Sequence, residues 1–291
     1  MTGGVLRRIQ SFLWAVLERV SDGHFGLVAA GVAFYAMFAV FPSLAAVVAI
    51  WGMMADPVVI AGYLAIGERF LPPDASILVH DQVMGLVSAP AATLGWATVL
   101  SLLVALYSTR NAVAALISGL DVVHRATPRG FLRGLAREVT LTLALIAALI
   151  AALATVVIVP VLLAPLALET WAPWLIRVLP WLAMFFAVLV CLSILFRYGP
   201  NVPKGERSAW FSFGVIFAAL AWAGVSMGFS LYLENFNSYN RIYGSIGAAI
   251  ILMMWLYLSV WAILAGGAIN AELDQRRRIL RQMGRERHRM R

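Results

Sequence analysis

Six stretches of this chain run without a single Asp, Glu, Lys or Arg: residues 26–55, 91–109, 139–168, 178–196, 208–233 and 242–271. Each is close to or above the roughly 20 helical residues needed to cross the hydrocarbon of a bilayer. A helix on the surface of a soluble protein keeps a polar face, whereas one that is apolar all round is buried in a large core or in lipid. The pattern predicts an all-α, polytopic membrane bundle of about six spans, near 26–54, 92–116, 139–164, 178–197, 208–233 and 243–270, forming one domain over residues 23–271.

The first twenty residues follow a different rhythm. Leu6, Ile9, Leu13, Val16 and Val20 recur at helical spacing, with Arg7, Arg8, Gln10, Glu18 and Arg19 between them. That is the pattern of a helix lying in the membrane interface, and equally of an amphipathic helix packed on other protein. Residues 1–22 are read as such a helix on the cytoplasmic side, and residues 272–291 as a basic cytoplasmic tail. No short apolar run with a small-residue cleavage site stands at the N-terminus, so a secretory signal is not expected.

Basic residues alternate between connections and set the orientation. Eighteen lie on one side, in the N-terminal segment, around 125–137, around 197–207 and in the tail, against Arg69, Arg177 and Arg241 on the other. By the positive-inside rule both termini are expected on the cytoplasmic side. Composition agrees: 62% of residues are hydrophobic and 12% charged, with a formal net charge of +8. An Arg-rich tail also suits nucleic acid, but arginines just inside a span are what anionic headgroups attract. Membrane lipids, anionic ones first, are therefore the expected partners, and nucleic acid is not.

Catalytic patterns are missing: there is no GxxxxGK[ST], HExxH, CxxC or GxSxG. His24, His80, His124 and His288 fall in separate segments, and a single cysteine, Cys191, leaves no intramolecular disulfide to form. No catalytic residue, metal site or cofactor is expected, and the chain is not read as an enzyme. None of the 14 acids lies near the middle of a span, which disfavours a carboxylate proton path.

What remains is a small set of residues with physical reasons to matter. Pro42 stands midway along the first span, where it removes a backbone donor and predicts a kink, with Tyr35 two turns before it as a gate residue. Arg110 is the one ionisable side chain well inside an apolar run. If its span begins near Thr93 and runs about 20 residues, Arg110 lies within the last turn and snorkels to the cytoplasmic headgroups. The alternative joins Arg110 and Asn111 to Arg197 and Asn201 as a basic pocket facing the inner leaflet, suited to an anionic lipid head because arginine offers a two-pronged fork to phosphate. Gly224 and Gly228 form a small-xxx-small pair, read as packing within the bundle or as a dimer face, and Gly244 and Gly247 are further helix-packing glycines. Between residues 56 and 90 a short outer-surface helix is expected.

Several of these segments together resemble one family, the YihY/BrkB-like bacterial inner-membrane proteins once labelled ribonuclease BN. The resemblance is carried by Ala33-Phe34-Tyr35 with Phe41-Pro42-Ser43-Leu44 and by Ser108-Thr109-Arg110-Asn111 leading to Gly119-Leu120-Asp121 and Arg129-Gly130-Phe131. It continues through Arg197-Tyr198-Gly199-Pro200-Asn201-Val202, Tyr243-Gly244-Ser245-Ile246-Gly247, and Gly266-Gly267-Ala268-Ile269-Asn270-Ala271-Glu272. It implies a six-helix inner-membrane protein with roles in envelope lipid handling or serum resistance, and no settled biochemical activity. The acids that family members carry before the Arg-x-Phe are absent here. Two functions follow as expectations: a transporter or flippase-like protein for an anionic lipid or amphipathic envelope solute, or a non-transporting scaffold that maintains the envelope.

Overall fold

A computed structural model of the 291-residue chain describes residues 2–54, 91–127, 129–163, 173–234 and 240–289. The expected outer-surface helix between residues 56 and 90 lies outside the described residues. Every regular element among them is helical: α1 (Thr2–Asp22), α2 (Phe25–Met54), α3 (Ala91–Val123), α4 (Phe131–Leu163), α5 (Pro173–Tyr198), α6 (Phe213–Glu234) and α7 (Asn240–Arg289), with a single 3-10 turn at Lys204–Glu206. In lipid each backbone polar group must be satisfied within its own segment, which helices achieve.

Five helices carry stretches long and apolar enough to cross a membrane: Phe25–Ser43, Thr98–Val123, Phe131–Ala151, Phe213–Tyr232 and Ala249–Ile279. The sixth expected span, in α5, contributes the shorter apolar stretch Leu182–Tyr198 among the described residues. Large apolar side chains stand exposed along these helices, Trp96 at 80% and Leu27 at 76%. In water that would be untenable; against lipid tails it is expected. The chain is a polytopic helical membrane protein.

Helix boundaries depart from the charge-free runs in a consistent direction. α3 continues through Asp121 to Val123, α4 begins at Phe131 and so includes Arg133 and Arg137, and α7 runs unbroken into the arginine-rich tail. Charges end the hydrocarbon-compatible stretch, but Arg, Glu and Gln are good helix formers and do not end the helix. The exception is 199–212, where Gly199, Pro200 and Pro203 break the chain, and α6 begins only at Phe213.

The chain divides into two compact units: unit 1 comprises Met1–Ala30, Val113–Gly228 and Tyr257–Arg291, and unit 2 comprises Gly31–Ala112 and Phe229–Leu256. In unit 1 the core is Phe25, Leu120, Val123, Phe196, Val215 and Leu264, all under 2% exposed. Phe25 meets Trp261 edge-on at 5.4 Å, a favoured aromatic geometry. Val113, Ile117 and Leu141 make a second cluster, against which Leu145, Ile194 and Tyr198 pack.

Helices in lipid associate where small residues let backbones approach. Here those residues are Gly214, Gly266 and Gly267. A Cβ on Gly266 would stand 2.6 Å from Ala218 Cβ, and one on Gly214 would collide with the Gly266 carbonyl. Gly224 and Gly228, read as packing within the bundle or as a dimer face, are exposed, and a Cβ on either would meet no described atom within 4 Å. Gly247 is buried in unit 2. Gly244 lies in α7, with its surroundings outside the described residues.

The last family-like segment finds its reason in this crossing. Gly266 and Gly267 admit close neighbours, and Asn270, 2% exposed, accepts from the Gly214 amide (3.1 Å) and donates to Ser212 Oγ (2.6 Å). One buried amide from α7 thus satisfies an orphan donor at the start of α6. In unit 2, Phe34 packs against Tyr35 (5.6 Å) and Phe38 (4.8 Å), and Pro42 sits inside α2, which continues to Met54.

Candidate functional site

The connection between α3 and α4 is built by one carboxylate. Asp121 Oδ2 accepts from Arg129 Nη1 at 2.9 Å, and its Oδ1 accepts from the Asn201 amide at 2.7 Å. Arg129 Nη2 donates to the Gly199 carbonyl (2.7 Å), and Asn201 Nδ2 donates to the Thr127 carbonyl (2.7 Å). Gly199 is required here, because a Cβ would collide with the Leu195 carbonyl. The two family-like segments around residues 129 and 199 therefore hold each other. Arg129 thus takes its acid from Asp121, eight positions upstream.

This bracket forms one wall of an open cleft of about 510 Å³ in unit 1, lined by Arg129, Gly130, Arg133, Ala136, Arg137, Thr140 and Asn201. Arg133 and Arg137 are one helical turn apart on α4, and Thr140 continues the same stripe. Arg129 and Arg207 both lie within electrostatic reach of Arg137, with Asp121 as the acid among its nearest charges and Tyr198 beside them. Arg129 is committed to Asp121 and Gly199, whereas Arg133 and Arg137 make no hydrogen bond or ion pair among the described residues.

Arg197 and Arg207 flank the cleft through aromatic rings. Arg207 lies 5.4 Å over Tyr198; Arg197 lies 5.9 Å over Tyr198 and 5.5 Å over Trp210, and donates to the Ser208 carbonyl at 2.8 Å. Both Nε atoms are buried without a partner among the described residues. Cation–π contact holds these guanidiniums without neutralising them. The region therefore has more positive than negative charge, with Asp121 bonded to Arg129 and Glu138 next to Arg137 on α4.

Of the expected pocket residues, Asn201 lines the cleft and Arg197 sits at its flank, bonded away to Ser208. Arg110 and Asn111 belong to unit 2, where Arg110 Nη1 donates to Asn111 Oδ1 at 2.9 Å. From Arg110, α3 runs 13 residues further to Val123, about 20 Å at 1.5 Å per residue. Arg110 is half-buried well inside an apolar helix. Tyr35 and Pro42 lie in unit 2, on α2. The residues that sequence reasoning missed as a site are Arg129, Arg133 and Arg137. Their spacing of four was the available signal.

Comparison with known proteins settles the family at this point. The family described as Virulence factor BrkB matches residues 16–291. The chain belongs to that family. Among similar curated proteins, the ribonuclease-like protein YfkH of Bacillus subtilis (strain 168) is 37% identical over 114 residues, 39% of this chain and 39% of YfkH. A UPF0761 membrane protein of Xanthomonas campestris pv. campestris (strain B100) is 33% identical over 110 residues, 38% of this chain and 25% of the relative. The aligned stretches thus span well under half of either relative. No solved structure matches the chain.

Proposed function

We propose that this BrkB-family protein is a transporter or flippase-like protein of the bacterial inner membrane, taking up an anionic lipid or amphipathic envelope solute at the arginine-lined cleft. The observation that carries the reading is the uncompensated charge of that cleft. Arg133 and Arg137 present their forks to an open space beside a helix start, where unsatisfied amides and the helix dipole also favour an anion. Apolar helices border the site, so an acyl chain has lipid to remain in while its head is held.

Orientation supports the same reading. The basic excess around residues 125–137 and 197–207 assigns the cleft to the cytoplasmic side, with both termini there. Arg110 within α3 is the charged group expected along a polar path, since ionisable residues at membrane depth mark such paths. Pro42 and Tyr35 are the proposed gate. On this reading the protein moves its ligand without chemical change, needs no cofactor and does not engage nucleic acid.

Reconstitution in vesicles carrying a fluorescent anionic lipid tests it. Wild type is expected to speed leaflet exchange, and Arg133→Gln/Arg137→Gln to lose most of that gain. Exchange no faster than in protein-free vesicles would overturn transport and favour the envelope scaffold.

A further inference from the structure

The charges around the cleft specify more than an anion. Arg129, Arg133, Arg137 and Arg207 lie together with Asp121 as the acid among them. Both Nη atoms of Arg129 are spent on Asp121 and Gly199, so that residue positions the wall and adds field without offering its fork. Arg133 and Arg137 keep theirs. They stand one turn apart on α4, about 6 Å along the axis, so two forks reach one phosphate-sized group from the same side.

Two guanidinium forks bring two positive charges, which the single charge of a phosphodiester only half balances. A diester presents two terminal oxygens and one charge. A phosphate monoester presents three terminal oxygens and about −1.5 to −2 charges at neutral pH, its second proton leaving near pH 6. Each fork takes a pair of oxygens in the bidentate geometry that distinguishes arginine from lysine. Thr140, on the cleft wall, donates its hydroxyl proton to the Ala136 carbonyl, so the two arginines are the donors left for the ligand on this stripe.

We infer that the cleft selects a phosphate monoester head, held by Arg133 and Arg137, over singly charged phosphodiester heads. The inference rests on the anion-site reading above and narrows it to one ligand chemistry. That chemistry exists both as a lipid head and as a soluble phosphomonoester, and the experiment separates the two.

The purified full chain in detergent is titrated with phosphatidic acid or phosphatidylglycerol, and bound lipid is counted by native mass spectrometry. Phosphatidic acid is expected to bind at least tenfold more tightly, and Arg133→Gln/Arg137→Gln to bring it to the phosphatidylglycerol level. The preference should widen from pH 5 to pH 8 as the monoester loses its second proton. Glycerol 3-phosphate that displaces the lipid identifies the soluble head as sufficient; lipid binding that resists it identifies the membrane form, and either supports the monoester site. Equal, arginine-dependent binding of the two lipids would overturn the selectivity while leaving an anion site. Binding indifferent to both arginines would overturn the site as well.

Discussion

Unit 1 uses arginine in two opposite ways. Near the joint of α1, α3 and α7, Arg19 is 6% exposed and each nitrogen of its guanidinium has a partner: Nε and Nη2 bond Glu272 at 3.3 and 3.2 Å, Nη1 bonds the Val123 carbonyl at 2.6 Å, and Nη2 also reaches Gln275. Glu272 accepts from Arg276 as well, at 2.7 Å, and Arg276 covers the Phe12 ring. At the α4 corner the arginines outnumber the acids and two of them are unmet within the described protein. The first arrangement closes a structure. The second leaves charge for something else.

The contrast is sharpest in what each corner loses on mutation. Glu272→Ala strands a buried guanidinium, and breaking a buried pair from one side costs about 3–5 kcal/mol. A large fall in the thermal midpoint of the detergent-solubilised protein is the expected readout, with α1 the first element to gain hydrogen exchange. An unchanged midpoint would erase the distinction between the corners. Asp121→Asn should cost less, about 1–2 kcal/mol, because the Arg129 pair is partly exposed and Asn still accepts from the Asn201 amide. The same variant should tighten anion binding, since the cleft loses its carboxylate; weaker binding would contradict the electrostatic account.

A milder effect probes the closed corner through pH. His124 donates from Nδ1 to the Leu120 carbonyl (2.8 Å), and its Nε2 is buried with no partner among the described residues. Burial, the largest influence, lowers the imidazole below its ordinary 6.5; the Leu120 carbonyl and Asp274 oppose that shift, and Arg19 and Arg278 reinforce it. A depressed folded value means the unfolded chain binds the proton first, so stability is full above about pH 6.5 and falls with acidification toward the lower folded value. Unfolding midpoints measured from pH 7.5 to pH 5 should fall more in wild type than in His124→Gln. Parallel curves would remove His124 from the account.

The fold was readable because lipid leaves a coarse mark: charge-free runs of spanning length. Helix ends were not, since Arg133 and Arg137 end the apolar stretch while remaining good helix formers. Close packing was less legible for a related reason. Gly224 and Gly228 carry the familiar spacing, but which glycine meets a neighbour depends on how α6 and α7 cross, and that selected Gly214 and Gly266.

The site was half legible. Asn201 and Arg197 were singled out by their place at a span end, and both are at or beside the cleft. Arg129, Arg133 and Arg137 were absorbed into the positive-inside count, which explains any inner arginine equally well and so conceals one with a second duty. Only the pairing of Arg129 with Asp121, and the lack of partners for the other two, separates topology from a site.

The most direct test of that separation is the thermal midpoint of Arg133→Gln/Arg137→Gln beside wild type, in phosphate-free buffer and with added inorganic phosphate. Ligand that binds only the folded state raises the midpoint. The account predicts that the double variant matches or exceeds wild type without phosphate, because two repelling charges are gone, and that only wild type is stabilised when phosphate is added. A double variant less stable by more than about 1 kcal/mol without phosphate, or one stabilised by phosphate as much as wild type, would contradict it.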